Sequence, residues 1–167
     1  MLKPTHKAFA TTFTTGILIL NNKLQLYEIK PYEQVLIIGI AWLTASIPDI
    51  DTKSYIPLQH RGITHTIWII LLLLFFCYYY PNFITFGILC GYTSHLIGDA
   101  YSKAGIAWFY PLQRYKRYSS GAMIVKNRCM LFQPLYKVGK QIGPLKASYY
   151  WYFLTILLWI IHYIGRF

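Results

Sequence analysis

Acidic residues are scarce in this 167-residue chain, which has five Asp and Glu against sixteen Lys and Arg. The net charge of +11 is compatible with nucleic-acid binding, yet 56% of the residues are hydrophobic and only 13% are charged. A basic excess that borders long apolar runs favours anionic lipid headgroups as the partner. We therefore expect contact with membrane lipids and no nucleic-acid partner.

Other features are missing as well. The three cysteines, Cys77, Cys90 and Cys129, are too scattered for a disulfide framework. The chain contains no Ser-centred nucleophile motif, Walker loop or Rossmann glycine pattern. No small-x-small cleavage site follows the first apolar run, so we expect that run to stay attached as a membrane segment.

Apolar runs and aromatic residues are what the sequence has in abundance. They predict an all-α integral membrane helical bundle that forms one domain over residues 1–167. The predicted membrane segments, about five in number, are 6–20, 34–48, 65–80, 83–101 and 149–164, with a basic loop at 102–147. Several of these runs are near or below the roughly 20 residues that a spanning helix needs. Four spans are the alternative, with the first two segments tilted, re-entrant or buried in the bundle.

Local residues predict where these segments end. The Asn21-Asn22-Lys23 run is expected to end the first segment and Pro48 the second, because the residue before a proline is biased away from helix. The tight turn at Pro81-Asn82 makes the third and fourth segments antiparallel neighbours. Within the basic loop, residues 121–125 and 128–132 could form a hairpin, and 134–147 could instead be an amphipathic helix.

The distribution of positive charge predicts the orientation. With five spans, thirteen of the sixteen Lys and Arg residues lie on the face that holds the N-terminus, the insert 49–65 and the loop 102–147. The positive-inside rule makes that face cytoplasmic. The sequence thus predicts a multi-pass protein of the inner (plasma) membrane.

Three polar clusters fall at this cytoplasmic face. They are Pro48–Asp51 (PDID), His60–His65 (HRGITH) and Ser94–Asp99 (SHLIGD), and they contain every Asp of the chain. His6 begins the first segment at the same depth, whereas His162 lies toward the other end of the last segment. The topology therefore predicts that three Asp and several His residues meet in one site.

The residue types in these clusters favour a metal ion. His95 and Asp99 are spaced i, i+4, which places both on one face of a helix, where they could share a cation. A buried His–Asp hydrogen bond is the alternative for that pair, and helix termination is the alternative for Asp49 and Asp51. A mixed nitrogen and oxygen donor set suits zinc better than magnesium or calcium. Thr64 could be an ordinary N-cap.

The motifs PDID, HRGITHT and GYTSHLIGDAYSKAGIAWFYP, in this order between membrane segments, resemble the YdjM-like family. This family is described as membrane-bound, metal-dependent hydrolases of the inner membrane, LexA-regulated in some members and distantly similar to zinc-dependent phospholipases, and its activity is itself a prediction. The resemblance covers roughly residues 1–115. It implies metal-binding or catalytic roles for Asp49, Asp51, His60, His65, His95 and Asp99, with Arg61 beside them. It also implies framework roles for Gly91, Gly105 and Pro111.

The chain departs from the family pattern in three places. The insert between PDID and HRG is short, and Lys103-Ala104 stands where relatives often have Thr-Pro. The loop 112–147 contains no acidic residue, so any carboxylate that relatives draw from this loop is missing.

The leading hypothesis is a metal-dependent hydrolase of a phosphate ester, in a phospholipid or another membrane-associated substrate. The expected metal ligands are Asp49, Asp51, His65, His95 and Asp99. Asp51 or His60 would accept the proton, and Arg61 would stabilise charge on the phosphate. The side chains expected around the ligands are His6, Thr64 and Ser94. The alternative is a non-enzymatic membrane protein with a structural metal or His–Asp cluster and a basic loop that binds a partner or lipid.

Overall fold

Five α-helices make up most of the structure, a computed structural model that describes residues 3–52, 61–100, 105–112, 115–117, 123–125 and 144–164. The helices are α1 (Lys3–Leu24), α2 (Pro31–Thr44), α3 (Ile67–Tyr79), α4 (Phe83–Ala100) and α5 (Pro144–Ile164). Two short 3-10 helices, Pro48–Thr52 and Ile63–His65, lie between α2 and α3. The prediction of an all-α fold is confirmed, apart from one short hairpin in the basic loop.

That hairpin pairs two antiparallel strands of three residues each. Strand β1 (Tyr115–Arg117) pairs with β2 (Met123–Val125), and Lys116 lies opposite Ile124. The predicted strand at 121–125 therefore exists in part, but its partner precedes it in the chain. Residues 128–132 and 134–143 lie outside the described residues.

Helix α1 continues past the asparagine run at which the sequence predicted its end. The side chain of Asn21 remains in the last turns and donates from Nδ2 to the carbonyl of Tyr27 at 2.7 Å. The backbone N–H of Leu26 bonds the Asn21 carbonyl at 3.3 Å. Gln25 then takes a left-handed φ of +50°, a conformation that ends helices. The prediction was wrong because these polar side chains organise the turn after the helix instead of breaking it.

Helix α2 is also shifted, toward the N-terminus. It begins at Pro31, where the ring's restricted φ suits the first helical position, and Glu33 accepts the N–H of Lys30 at 2.9 Å. It ends at Thr44, and Pro48 begins a 3-10 helix instead of ending an α-helix. The polar residues before Gln34, which the sequence assigned to a link, are thus the capped first turn of α2.

The next two helices follow the predicted turn at Pro81-Asn82. The side-chain oxygen of Asn82 accepts the backbone N–H groups of Ile84 and Thr85 at 2.9 and 3.0 Å, so it caps α4. Helices α3 and α4 pack against each other as the tight turn requires. Their bounds agree with the predicted segments to within two residues at each end.

Helix α4 lies at the centre and packs against α1, α2 and α3. Its contact with α2 depends on two glycines one turn apart, Gly87 and Gly91. A Cβ on Gly87 would lie 2.8 Å from Cβ of Ile40, and one on Gly91 would overlap Thr44 Oγ1 and the Ala41 carbonyl. Close approach of helix backbones through small residues is a common way to pack helices in membranes.

The first and last helices pack through a seam of hydroxyl groups. Thr12 Oγ1 donates to the carbonyl of Trp151 at 2.8 Å and lies 2.8 Å from Thr155 Oγ1. Thr11 Oγ1 lies 3.3 Å from the same Thr155 oxygen. The ring of Phe9 meets the ring of Trp151 edge to face at 4.8 Å. These contacts explain why a Thr-rich helix lies inside the bundle.

We expect Thr155→Val to weaken the docking of α5 on α1 by about 0.6 kcal/mol, the typical value of an interhelical hydrogen bond in a membrane. A double-mutant cycle with Thr12→Val, measured by reversible unfolding in detergent, isolates the pair. Thr155→Ser keeps the hydroxyl and serves as the control. Strictly additive effects of the two valine substitutions would contradict a direct interaction.

By length and hydropathy, one helical stretch of the described residues qualifies as a membrane span. It is Pro31–Asp51, with 21 residues and a mean hydropathy of 1.3. Helix α3 is apolar but shorter. The five predicted segments are thus confirmed as helices, while five membrane crossings stay a prediction.

Candidate metal centre

Four side chains from three separate parts of the chain meet beside the last turn of α4. They are Asp49 and His65 from the two 3-10 helices, and His95 and Asp99 from α4. One potential ligand atom of each lies within 4.8 Å of the corresponding atoms of the other three. The predicted i, i+4 geometry of His95 and Asp99 places His95 Nε2 3.7 Å from Asp99 Oδ2. Residues that are fifty positions apart in sequence thus form one His/Asp cluster.

The hydrogen bond of His95 determines which ring nitrogen faces the cluster. Its Nδ1 lies 2.6 Å from the carbonyl oxygen of Ala45, which can only accept, so Nδ1 carries the proton. Nε2 of a neutral ring then presents a lone pair to Asp49 Oδ1 at 3.5 Å, an oxygen that also only accepts. This Nε2 atom is buried and has no hydrogen-bond partner among the described residues. A cation between nitrogen and carboxylate would satisfy both, so the donor set fits a metal ion.

His65 is oriented in a similar way by Asp51 and Thr64. Its Nδ1 lies 3.3 Å from Asp51 Oδ2 and 3.0 Å from Thr64 Oγ1. Thr64 donates its own proton to Asp51 at 2.5 Å, so its oxygen is left to accept from the imidazole. The other nitrogen, Nε2, lies 3.6 Å from Asp99 Oδ2 and 3.9 Å from Asp49 Oδ1. A carboxylate behind a histidine is the arrangement that commonly orients metal-binding imidazoles.

The same carboxylates affect the protonation of His65. Burial of the ring works against the charged imidazolium, but the hydrogen bonds to Asp51 and Asp99 outweigh burial and hold the pKa of His65 above its ordinary value. A metal ion bound at Nε2 would have to displace the proton that this shift favours, because a ligating imidazole is neutral.

Asp99 is held from two further sides. Its Oδ1 lies 3.2 Å from His6 Nε2, and its Oδ2 lies 3.1 Å from Arg61 Nη2. The His6 ring also stacks on the His95 ring, with 4.0 Å between centroids and 19° between planes. A carboxylate with this many partners has little freedom to rotate.

Charge is unbalanced among the described side chains of the site. Asp49, Asp51 and Asp99 bring three carboxylates to the site, and Arg61 brings a guanidinium. Asp51 and Asp99 are only 4% and 1% exposed, so water cannot compensate them well. Buried carboxylates gathered in this way favour a bound cation.

The predicted residues therefore separate into groups. Asp49, His65, His95 and Asp99 form the four-residue cluster, and Asp51 lies behind His65, outside that cluster. Arg61 does not point toward open space: Nη2 contacts Asp99, and Nη1 donates to the Gly105 carbonyl at 3.0 Å. His60 lies outside the described residues.

The residues predicted around the ligands also have different positions. His6 contacts Asp99, as expected for a neighbour of the cluster. Thr64 bonds Asp51 and does not cap α3, whose N-cap residue is Thr66. Ser94 Oγ donates to the Gly91 carbonyl of its own helix at 2.8 Å, a bond that leads away from the cluster.

Two contributors to the site were missed in the sequence. The Ala45 carbonyl is available to His95 because it follows the end of α2, where carbonyls lack helical partners. Tyr92 donates its hydroxyl to the backbone carbonyl of Thr64 and so ties the second 3-10 helix to α4. Residue types do not show which backbone carbonyl will accept a hydrogen bond, so the Ala45 carbonyl could not be predicted from the sequence. Tyr92 could have been identified, because it lies three positions before His95.

We expect Asp51→Asn to lower the affinity of the cluster for an added metal ion by about 10- to 100-fold, the usual effect of removing a carboxylate that orients a ligating histidine. Competition with a chelating dye measures the affinity in detergent. Glu33→Gln, which alters a carboxylate at the start of α2, is the control. An Asp51→Asn protein with wild-type affinity would show that His65 needs no such support.

Comparison with known families covers nearly the whole chain. A family model described as YdjM inner membrane protein matches residues 1–166, a range that includes all four members of the cluster. Searches among curated proteins and among solved structures give no match.

Proposed function

The chain belongs to the YdjM inner membrane protein family, and from this membership and the His/Asp cluster we propose that it is a membrane-bound, metal-dependent hydrolase. Its proposed substrate is a phosphate ester, in a phospholipid or another membrane-associated molecule. The observation that carries the proposal is the convergence of Asp49, His65, His95 and Asp99 within 4.8 Å, with the buried His95 Nε2 aimed at carboxylate oxygens.

Two imidazole nitrogens and two carboxylates are a donor set that suits zinc better than the oxygen-seeking magnesium or calcium. A bound zinc ion would supply Lewis-acid activation of a phosphoryl oxygen and of the attacking water. The chain's own residues would hold this ion and set its surroundings. His95 and His65 present their Nε2 atoms, held by the Ala45 carbonyl and by Asp51.

Roles for the remaining predicted residues follow from their contacts. Asp51 Oδ2 accepts hydrogen bonds from the Arg61 backbone N–H and from Thr64, which supports a role in orienting His65 more than a role as proton acceptor. His60, as predicted from the sequence, is the proposed general base. Arg61 binds Asp99, which supports a role in holding that ligand.

Substrate would reach the cluster from the side of Asp49. This side chain is 13% exposed, whereas those of His65, His95 and Asp99 are 0%, 0% and 2% exposed. Two large apolar residues that adjoin the site in the chain are exposed. Ile50, between Asp49 and Asp51, is 40% exposed, and Ile63, which precedes Thr64, is 52% exposed. Exposed apolar residues next in the chain to a polar cluster fit a substrate that carries hydrocarbon beside its phosphate.

The proposed setting is a bundle that crosses the inner membrane several times, with the cluster at the cytoplasmic face. The contact of His6 at the start of α1 with Asp99 at the end of α4 supports this arrangement, and the positive-inside rule supports the orientation. In this proposal the basic loop 102–147 contacts anionic headgroups of the cytoplasmic leaflet.

A structural metal site is the second candidate. It is favoured by the near-complete burial of three of the four cluster residues, since structural zinc sites are closed by four protein ligands. In that case the ion would tie the two 3-10 helices to α4 and do no chemistry.

Elemental analysis of the purified protein, followed by incubation with a panel of phospholipids with and without chelator, separates these functions. The proposal expects one metal ion per chain and chelator-sensitive release of a headgroup or phosphate. His65→Ala should lose both, and the neighbouring Ile63→Ala should keep the metal. Bound metal without turnover would favour the structural site, and a metal-free wild-type protein would contradict both.

A further inference from the structure

Arg61 connects the candidate metal centre to a segment of the chain outside it. Its backbone N–H donates to Asp51 Oδ2 at 2.9 Å, its Nη2 lies 3.1 Å from Asp99 Oδ2, and its Nη1 donates to the Gly105 carbonyl at 3.0 Å. We infer that Arg61 is a positioning residue that couples occupancy of the metal centre to docking of segment 105–112. This inference rests on metal binding at the cluster, and it does not depend on hydrolysis.

The backbone of Arg61 is constrained at the point where these contacts begin. Its φ of +61° lies in the left-handed region, which residues with a Cβ rarely adopt. This conformation directs the backbone N–H toward Asp51, and the side chain extends toward Asp99. Arg61 as a whole residue is only 9% exposed. A conformation of this kind persists only when surrounding contacts determine it. The contacts of Arg61 with Asp51, Asp99 and Gly105 hold its backbone in this conformation.

Segment 105–112 is docked on Arg61 and on the start of α3 through three of its backbone carbonyls. Besides the bond from Arg61 to Gly105, the N–H of Ile67 donates to the Trp108 carbonyl at 2.9 Å, and Trp68 Nε1 donates to the Tyr110 carbonyl at 3.1 Å. The side chain of Ile106 is buried in the apolar cluster between α3 and α4. Of these three hydrogen bonds, the one between Arg61 and the Gly105 carbonyl connects the segment to the metal centre.

The coupling passes through Asp99 Oδ2. This oxygen faces Arg61 Nη2, His65 Nε2 at 3.6 Å and His95 Nε2 at 3.7 Å, so the guanidinium and a metal ion would share it. The carboxylates of Asp49 and Asp99 have oxygens within 4.8 Å of each other, so they repel one another. A cation in the cluster relieves that repulsion and stabilises the arrangement in which Arg61 reaches both Asp99 and Gly105. Binding linkage is reciprocal, so docking of segment 105–112 strengthens metal binding to the same degree.

The test is hydrogen–deuterium exchange of segment 105–112 in purified full-length protein, with and without zinc, together with zinc titrations. In the wild type we expect zinc to slow exchange in this segment. Arg61→Ala should bind zinc about tenfold more weakly, and zinc should no longer slow exchange there. Arg61→Lys keeps a positive charge for Asp99 but lacks the planar fork that also reaches Gly105. It should therefore lose the effect on exchange, and by the same linkage its zinc affinity should fall by the factor by which zinc slows exchange in the wild type.

Trp68→Phe is the matched control, because it removes the Tyr110 anchor without touching the cluster. Exchange in segment 105–112 should be faster in this variant, but zinc should still slow it, because the bond from Arg61 to Gly105 remains. The inference is overturned if zinc leaves wild-type exchange unchanged, or if Arg61→Lys retains the zinc-dependent slowing. Zinc binding without any phospholipid turnover would defeat the proposed hydrolase and leave the coupling intact. A wild-type protein that binds no zinc would overturn both.

Discussion

Replacing His95 by alanine is expected to abolish stable metal binding, with an affinity loss of about a hundredfold or more, beyond the range for residues that only orient a ligand. The imidazole Nε2 is the buried atom that faces Asp49 and Asp99 with no hydrogen-bond partner. Its loss leaves two carboxylates and a single imidazole in the cluster. Elemental analysis and chelator competition on purified protein measure the result.

Alanine also removes the hydrogen bond to the Ala45 carbonyl, so a stability defect must be separated from a binding defect. His95→Asn keeps a donor close to the position of Nδ1 and has no counterpart of Nε2, so it should insert and fold while losing the metal. Ser94→Ala, at the adjacent position, deletes a hydroxyl that bonds only the helix backbone, and it should retain the metal. Wild-type metal content in His95→Asn would refute the assignment of this residue as a ligand.

Gly91→Ala is expected to have the largest effect on the fold. The new Cβ would overlap Thr44 Oγ1 and the Ala41 carbonyl and lie 2.9 Å from Ala41 Cα, so the backbones of α2 and α4 would have to separate. Overpacking of this kind typically lowers the free energy of unfolding by about 1–3 kcal/mol. The displacement would also move the Ala45 carbonyl relative to His95, so metal affinity should fall together with stability.

Gly39→Ala provides the matched control, because Gly39 lies in the middle of α2 and a Cβ there meets no atom within 4 Å. This substitution should stabilise the helix by up to about 1 kcal/mol, the usual difference between alanine and glycine in a helix interior. Reversible unfolding in mixed micelles compares the two variants. Equal stability of Gly91→Ala and Gly39→Ala would show that α2 and α4 do not depend on close contact.

The helices were predictable because long apolar runs separated by proline and asparagine allow few other structures. The i, i+4 spacing of His95 and Asp99 and the positions of Asp49 and His65 at helix ends were enough to predict that these four side chains meet. Alternating helix direction brings such ends to one side of a bundle, whatever the details of packing. The cluster therefore follows from topology more than from local sequence.

The roles within the site were less predictable. Asp49 and Asp51 differ by two positions and have the same chemistry, but the turn of a 3-10 helix directs one into the cluster and the other behind His65. Arg61 was expected to face a phosphate, because residue type says nothing about a left-handed backbone that directs the side chain to Asp99. Such choices depend on backbone dihedral angles and carbonyl partners, which composition and spacing do not encode.

The docking of α5 on α1 has a consequence for biogenesis. All four cluster residues precede position 100, and α5, which follows them in the chain, contributes none of them. The four candidate ligands are therefore synthesised before α5, and they can meet before α5 docks along the Thr-rich side of α1. This order of synthesis allows the cluster to assemble first and the α1–α5 contact to form afterwards.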